Sequence, residues 1–149
     1  MKAMVLNRLC NLKEERQPLV LQEVPKPKPE SDEIVVKVTA CGVCHTELDE
    51  IEGRTPPSQL PVILGHQAIG RVVESGNQAK RYRLGERVGI AWIHSACGQC
   101  TYCHAGLENL CREFRATGRD APGGYAQYMT VPQNFAYGIP AEFSDAQTA

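Results

Sequence analysis

The segment EIVVKVTACGVCHTE, residues 33–47, contains a predicted strand that is followed at once by two cysteines and a histidine. Its first half is dominated by β-branched residues and then alternates between polar and apolar side chains, which predicts a strand over Glu33–Ala40. Its second half places Cys41, Cys44 and His45 directly after that strand. Thiol and imidazole groups are common metal donors, so a metal site at the end of the strand is one interpretation, and ordinary packing is the other.

Short apolar runs continue along most of the chain, and glycine or proline separates them at positions such as Gly76 and Pro132. The further predicted strands are Met1–Leu6, Leu19–Val24, Ile69–Ser75, Arg87–Ala91, Gly124–Val131 and Phe135–Ile139. Helical signals are few. Many short strands with little helix predict a mainly β barrel or sandwich.

Two segments carry helical signals. Residues His45–Ile51 predict one or two turns, with Thr46 able to cap the start. Residues 141–149 predict the beginning of a helix with Ser144 as its N-cap. Both predicted helices are short additions to a β framework.

The composition is that of an ordinary globular domain. The chain has 149 residues, of which 42% are apolar and 22% are charged, and one domain of this size can bury a real core. The net charge of −1 does not favour a nucleic-acid partner. No apolar run approaches the length of a membrane span, and the N-terminal residues do not resemble a secretory signal, so we expect a cytoplasmic protein.

Four of the seven cysteines lie in one segment, ACGQCTYCHAGLENLC, residues 96–111. They are Cys97, Cys100, Cys103 and Cys111. Four thiolates at this spacing complete a tetrahedron and leave no open position, which predicts a structural zinc. An iron–sulfur cluster or free loop thiols are the alternatives, but in ferredoxins the fourth cysteine follows after three residues and precedes proline. We interpret His104 as an exposed loop histidine and the isolated Cys10 as a small hydrophobic residue.

A second group of thiol and imidazole side chains is spread more widely along the sequence. Cys41, Cys44 and His45 follow the first strand, and His66 follows Gly65 some twenty residues later. Spacing alone leaves two interpretations open for these residues, a second metal site or ordinary packing and turn residues.

The segments CGVCHTE (41–47), LGHQ (64–67), the four-cysteine loop and GGYAQY (123–128) occur in this order along the chain. In sequence and order they resemble the zinc-dependent medium-chain alcohol dehydrogenases, and the resemblance covers essentially the whole chain. It implies that residues 1–149 form a GroES-like catalytic domain, a partly open β-barrel with a zinc-binding loop and few short helices.

The resemblance also implies roles for particular residues. Cys44 and His66 would be two of the three protein ligands of a catalytic zinc. Glu47 would lie behind His66 and orient its ring. Thr46 would pass on the alcohol proton, and His45 would lie near the cofactor pyrophosphate.

Three further positions follow from the same resemblance. Trp92 falls where the family has an aromatic residue of the substrate pocket, although a core indole explains a tryptophan equally well. Gln67 stands where most members have a glutamate near the metal. Asp49 stands where many members have the histidine that ends a proton relay, and a carboxylate there could accept the proton through water.

The implied reaction is oxidation of an alcohol to an aldehyde or ketone by hydride transfer to NAD or NADP. A third catalytic ligand is expected beyond Ala149, and none of the 13 glycines forms a G-x-G-x-x-G fingerprint. We therefore expect an N-terminal part of a longer enzyme, inactive alone, whose Rossmann domain binds the nucleotide. The alternative is a zinc-stabilised binding module without catalysis. The expected partners are a small alcohol or aldehyde and further copies of the chain, and not nucleic acid or membrane.

Overall fold

The computed structural model describes residues 1–149 as ten strands and three short helices. The strands are β1 (Lys2–Leu6), β2 (Leu19–Glu23), β3 (Glu33–Cys41), β4 (Val62–Ile63), β5 (Ala68–Ser75), β6 (Arg87–Ile90), β7 (Ile93–Ser95), β8 (Arg115–Ala116), β9 (Tyr128–Pro132) and β10 (Ala136–Gly138). The helices are α1 (His45–Ile51), α2 (Thr101–His104) and α3 (Asp145–Thr148), and single 3-10 turns cover Glu108–Leu110 and Gln133–Phe135. None of the three helices has the length and apolar character that crossing a bilayer requires.

The larger sheet has the strand order β10-β6-β5-β3-β9, and all its neighbouring pairs are antiparallel. In β3, Ile34, Val35 and Val36 are all fully buried, because this strand lies inside the sheet and is covered on both faces. Register shifts occur between β3 and β5 after Val35 and after Val38. Such irregularities bend a strand, and here they curl the sheet into a half barrel.

The curled sheet encloses the larger of two apolar cores. Its fully or almost fully buried side chains include Ile34, Val36, Val72, Val88, Met129 and Val131. The sheet needs one glycine to pack this closely: a Cβ at Gly70 would lie 2.2 Å from the carbonyl oxygen of Lys37. The predicted mainly β, partly open barrel is therefore confirmed.

A smaller sheet with the order β2-β1-β4 carries the second core. Leu6 from β1, Ile51 from α1, and Val62 and Leu64 from β4 and its end form this cluster. Cys10 is half-buried and packs against it, as expected of a small apolar side chain. Because α1 and the end of β4 share this core, the packing fixes where the residues that flank them can lie.

Helix α1 has the predicted limits, but its cap is a different residue. Thr46 lies inside the helix, and the N-cap is Cys44. The Glu47 carboxylate accepts a hydrogen bond from the Cys44 backbone N–H at 2.8 Å, which satisfies one of the free N–H groups at the helix start. The C-terminal helix α3 is capped by Ser144 as predicted, since its side chain accepts from the backbone N–H of Gln147.

Two predicted strands differ from the observed ones by more than one residue. The strand predicted over Gly124–Val131 starts only at Tyr128, because the N–H groups of Gly124 and Tyr125 donate to the carbonyls of Gly65 and Leu64, which lie outside the strands. The strand predicted over Phe135–Ile139 is reduced to β10, because a 3-10 turn occupies the residues before it. The sequence patterns predicted neither the short strands β4, β7 and β8 nor the helical turns inside the four-cysteine loop.

Candidate metal centres

The sulfur atoms of the four-cysteine loop converge on one point. All four lie within 4.8 Å of one another. The measured separations are 3.5 Å for Cys97–Cys111, 3.6 Å for Cys100–Cys103 and 3.9 Å for Cys97–Cys103. A zinc–sulfur bond of about 2.3 Å requires tetrahedral sulfurs about 3.8 Å apart, so these residues fit a zinc ion without rearrangement.

Backbone N–H groups point at these sulfurs. Those of Cys97 and Glu113 donate to the Cys111 sulfur at 3.5 and 3.3 Å. The backbone N–H of Cys103 lowers the pKa of the Cys100 thiol. Hydrogen bonds of this kind favour the thiolate, which is the form that binds metal. His104 is exposed and lies outside the sulfur group, in agreement with its interpretation as a loop residue.

A second pair of donors meets where β3, α1 and β4 come together. Cys44 lies between the end of β3 and the start of α1, and His66 follows β4 and is buried. One side chain contacts both: Glu47 accepts from the Cys44 backbone N–H, and its other oxygen lies 2.8 Å from Nδ1 of His66. The Nδ1 contact is bent away from the linear geometry of a hydrogen bond. Glu47 thus contacts the backbone of one candidate donor and the ring of the other.

The charged groups and hydrogen bonds of this group shift the pKa values of Cys44, Glu47 and His66. Burial opposes protonation of His66, but the Glu47 carboxylate outweighs burial and raises the His66 pKa. Burial likewise opposes ionisation of Glu47, but His66 and the Cys44 N–H outweigh it and lower the Glu47 pKa. The backbone N–H and hydroxyl of Thr46, together with His66, lower the pKa of the Cys44 thiol. The site thus favours an anionic sulfur at Cys44, with the Glu47 carboxylate lying behind the His66 ring.

The residues expected to handle the proton lie on the first turn of α1. The Thr46 hydroxyl is 3.6 Å from the Cys44 sulfur. His45 is largely exposed, and its Nε2 lies 3.5 Å from an oxygen of Asp49. Asp49 also pairs with the Arg54 guanidinium. The Thr46 hydroxyl thus contacts the candidate ligand Cys44, and a separate exposed pair is formed by His45 and Asp49.

Two other predicted residues lie at the edges of this group. Gln67 is exposed, and its side-chain oxygen would be 2.7 Å from a Cβ at Gly42, so its amide covers that glycine. Cys41 packs against the backbone of Gly65 and Gly124, and burial raises its pKa to about 11. Cys41 is therefore a packing residue, and of the two cysteines in this turn only Cys44 interacts with His66.

Trp92 lies beside His66, and it also contacts a residue that the sequence did not indicate. The Trp92 ring stands edge-on to His66 with ring centres 5.0 Å apart. The guanidinium of Arg119 lies 5.5 Å from the centre of the same indole ring. The G-x-A-x-Y stretch drew attention to the residues after Arg119, but no local pattern identified Arg119 itself.

Glu50 is a second residue that the sequence did not indicate. It is fully buried on α1, and neither carboxyl oxygen has a hydrogen-bond partner. The charged groups that affect it are Glu47, His66, Arg119 and Asp120. Its position in the i+3 relation to Glu47 was the only available signal, because i and i+3 side chains share a helix face.

Known proteins share this arrangement. Residues 30–141 match the family described as alcohol dehydrogenase GroES-like domain. An alcohol dehydrogenase of Geobacillus stearothermophilus is 41% identical over 150 residues, which cover 100% of this chain and 42% of the relative. The chain thus spans about two-fifths of the length of the curated relatives that it matches.

Solved structures have the same fold. A thermostable alcohol dehydrogenase from Pyrobaculum aerophilum, with cobalt and zinc bound, superposes with a TM-score of 0.86 at 27% identity, over 99% of this chain and 44% of that protein. An NAD-dependent alcohol dehydrogenase superposes with a TM-score of 0.89 at 27% identity, over 97% of this chain and 41% of that protein.

Proposed function

The chain belongs to the alcohol dehydrogenase GroES-like domain family, and from this membership we propose that it forms the zinc-binding catalytic part of an alcohol dehydrogenase. The proposed reaction converts an alcohol into an aldehyde or ketone. NAD or NADP, bound by a further part of the enzyme, accepts the hydride. The observation that carries the proposal is the contact of Glu47 with both Cys44 and His66, which brings together two zinc donors from distant parts of the chain.

Cys44 and His66 would hold the zinc of the reactive centre. When bound there, zinc supplies a Lewis acid that makes the hydroxyl of the alcohol more acidic. Glu47 lies 2.8 Å from Nδ1 of His66, so Nε2 is the proposed metal-binding nitrogen. The four cysteines Cys97, Cys100, Cys103 and Cys111 would hold a second zinc, whose closed sulfur shell suits a purely structural role.

Thr46 is the proposed first proton carrier. Its hydroxyl lies beside the Cys44 sulfur, so it can take the proton of an alcohol bound at the same place while its own proton leaves on the other side. Asp49 is the proposed acceptor through water, and it contacts both His45 and the Arg54 guanidinium. His45, exposed at the start of α1, is the proposed contact for the cofactor pyrophosphate.

Trp92 is proposed as a wall of the substrate pocket, because its ring stands edge-on to the ring of His66. Gln67 carries no charge, so we propose that it shapes the turn and does not exchange as a carboxylate ligand.

We also propose a cytoplasmic location and self-association. All seven cysteines are free thiols, which suits a reducing compartment. Val43 and Leu48, at the edges of the reactive centre, are exposed apolar side chains that a second copy or a further domain could cover.

Zinc content tests the proposal. We expect the chain, dialysed at a fixed free zinc concentration, to bind two zinc ions, and Cys44→Ser to bind one. Cys41→Ser is the matched control, because Cys41 belongs to the same turn but packs away from His66; it should keep both ions. One zinc in the wild type, unaffected by Cys44→Ser, would instead favour a zinc-stabilised binding module, since the four-cysteine group is complete within this chain.

A further inference from the structure

The indole of Trp92 is clamped between the reactive centre and a charged side chain. Its ring contacts His66 on one side and the Arg119 guanidinium on another, while Phe114 packs at 6.3 Å. The backbone is fixed as well, because the Thr117 N–H donates to the Trp92 carbonyl at 2.9 Å. Arg119 therefore helps to set the position of the Trp92 ring beside His66.

Asp120 holds the Arg119 guanidinium in place, but Asp120 uses only part of its N–H donors. Its Nε and Nη2 donate to one oxygen of Asp120 at 3.1 and 2.7 Å. That oxygen also accepts the Ala116 N–H at 2.8 Å, which anchors the pair to β8. A guanidinium has five N–H donors, so three remain free, and the side chain is 26% exposed. Arg119 therefore presents unused donors beside Trp92.

A cavity of about 170 Å³ adjoins the same pair. Arg119 and Asp120 are its charged lining residues, Gln22 and Gln59 are also polar, and the apolar lining includes Val24, Pro61 and Ile63. A space of this size with mostly apolar lining suits the hydrocarbon part of a small molecule. Arg119 is shared by the cavity and the Trp92 contact, so it stands between the reactive centre and an apolar space.

The charges around Arg119 favour a neutral ligand. Asp120 already compensates the guanidinium, and Glu47 carries a negative charge behind His66. A carboxylate or phosphate would face these acids, whereas a hydroxyl or carbonyl oxygen needs only a free N–H donor.

We propose that Arg119 is a specificity-determining residue that selects neutral alcohols with an apolar body and a second oxygen. It does so in two ways: it fixes Trp92 against His66, and it donates a hydrogen bond to the second oxygen while the hydrocarbon part lies in the adjoining cavity. The inference rests on the proposed function, since it assumes that the reacting hydroxyl binds beside Cys44 and His66.

Trp92 is the only tryptophan of the chain, so its fluorescence reports on this cluster directly. The experiment titrates the zinc-loaded chain with hexan-1-ol, hexane-1,6-diol and 6-hydroxyhexanoate and derives a dissociation constant for each. We expect the diol to bind about tenfold more tightly than hexan-1-ol, as one hydrogen bond to a charged donor provides, which exceeds the statistical advantage of two hydroxyls. The hydroxy acid should bind no more tightly than the diol.

Variants separate Arg119 from general effects on folding. Arg119→Met should bring the diol and hexan-1-ol to equal affinity, and Arg119→Lys should restore part of the difference. Arg81→Met is the matched control, because Arg81 lies 5.5 Å over the ring of Tyr82 in a similar contact; it should keep the full difference. Equal affinities in the wild type, tighter binding of the hydroxy acid, or discrimination that survives Arg119→Met would overturn the inference.

Zinc content distinguishes this inference from the proposed function. If Cys44→Ser loses a zinc ion but the wild type does not discriminate between the alcohols, only the role of Arg119 is wrong. If Cys44→Ser loses no zinc, the proposed function fails, and with it the premise that the reacting hydroxyl lies beside Cys44.

Discussion

Removing the charge of Glu50 should stabilise the protein at alkaline pH. Burial, reinforced by Glu47 and Asp120, raises the pKa of Glu50 from 4.5 to about 7, and His66 and Arg119 offset this only in part. The folded chain therefore holds this proton more tightly than the unfolded chain does. The stabilising contribution is fully present below about pH 4.5 and is lost as the pH rises through about 7.

The size of the effect follows from the two pKa values. A tenfold difference in proton affinity corresponds to about 1.4 kcal/mol, so the difference between 4.5 and about 7 amounts to about 3 kcal/mol at pH 8 and above. Glutamine has the shape of the protonated acid and cannot ionise. We therefore expect Glu50→Gln to raise the free energy of unfolding by up to about 3 kcal/mol at about pH 8, and to change it little at about pH 5.

Urea unfolding followed by circular dichroism, at one zinc equivalent per chain and at several pH values, measures this difference. Glu47→Gln is the matched control on the same helix, because its pKa is shifted in the opposite direction. It should destabilise the protein at neutral pH, by an amount that shrinks as the pH falls below the ordinary value of the carboxyl. If Glu50→Gln has the same effect at pH 5 and pH 8, or destabilises at pH 8, the account of Glu50 is wrong.

Three other substitutions test the loop and the larger core. Cys111→Ser should remove one zinc ion per chain and make amide exchange in residues 97–111 fast, because backbone order there depends on the sulfur group; protection unchanged by the substitution would contradict this. Tyr82→Phe should lower the free energy of unfolding by about 1 to 2 kcal/mol in urea titrations, since the Tyr82 hydroxyl donates to the Ala136 carbonyl in a buried position. Met129→Ala should cost about 2 to 5 kcal/mol in the same titrations, because Met129 is 1% exposed in the larger core, and a loss below about 1 kcal/mol would show that this core is loosely packed.

Local patterns predicted the parts of the fold that local forces determine. The β-branched run of β3 and the cap residue Ser144 lie where they were predicted, because strand propensity and capping act over a few residues. The prediction of a strand that starts at Gly124 is wrong, because contacts with distant residues determine the backbone there. Its first two N–H groups donate to the carbonyls of Gly65 and Leu64, some sixty residues away, and no local pattern contains that pairing.

In the candidate site, too, the sequence identified some residues, whereas others could be found only from their contacts in the fold. Residue types and family resemblance identified Cys44, His66 and Glu47, and the structure brings these three together. Arg119 and Glu50 were missed because their importance depends on what they contact. Arginine and glutamate are usually surface residues, so only the fold shows that one lies against Trp92 and the other is fully buried without a partner.

The two candidate metal centres therefore depend on the fold in different ways. All four sulfurs of the first come from residues 97–111, so its formation needs little more than the closure of one short loop. The second needs β4 to pair with β1 and Leu64 to pack against Ile51 before His66 can meet Cys44. Glu47 completes this arrangement by contacting both donors from α1. The reactive centre is thus a product of the second core, and its geometry is set by apolar packing that takes no part in the chemistry.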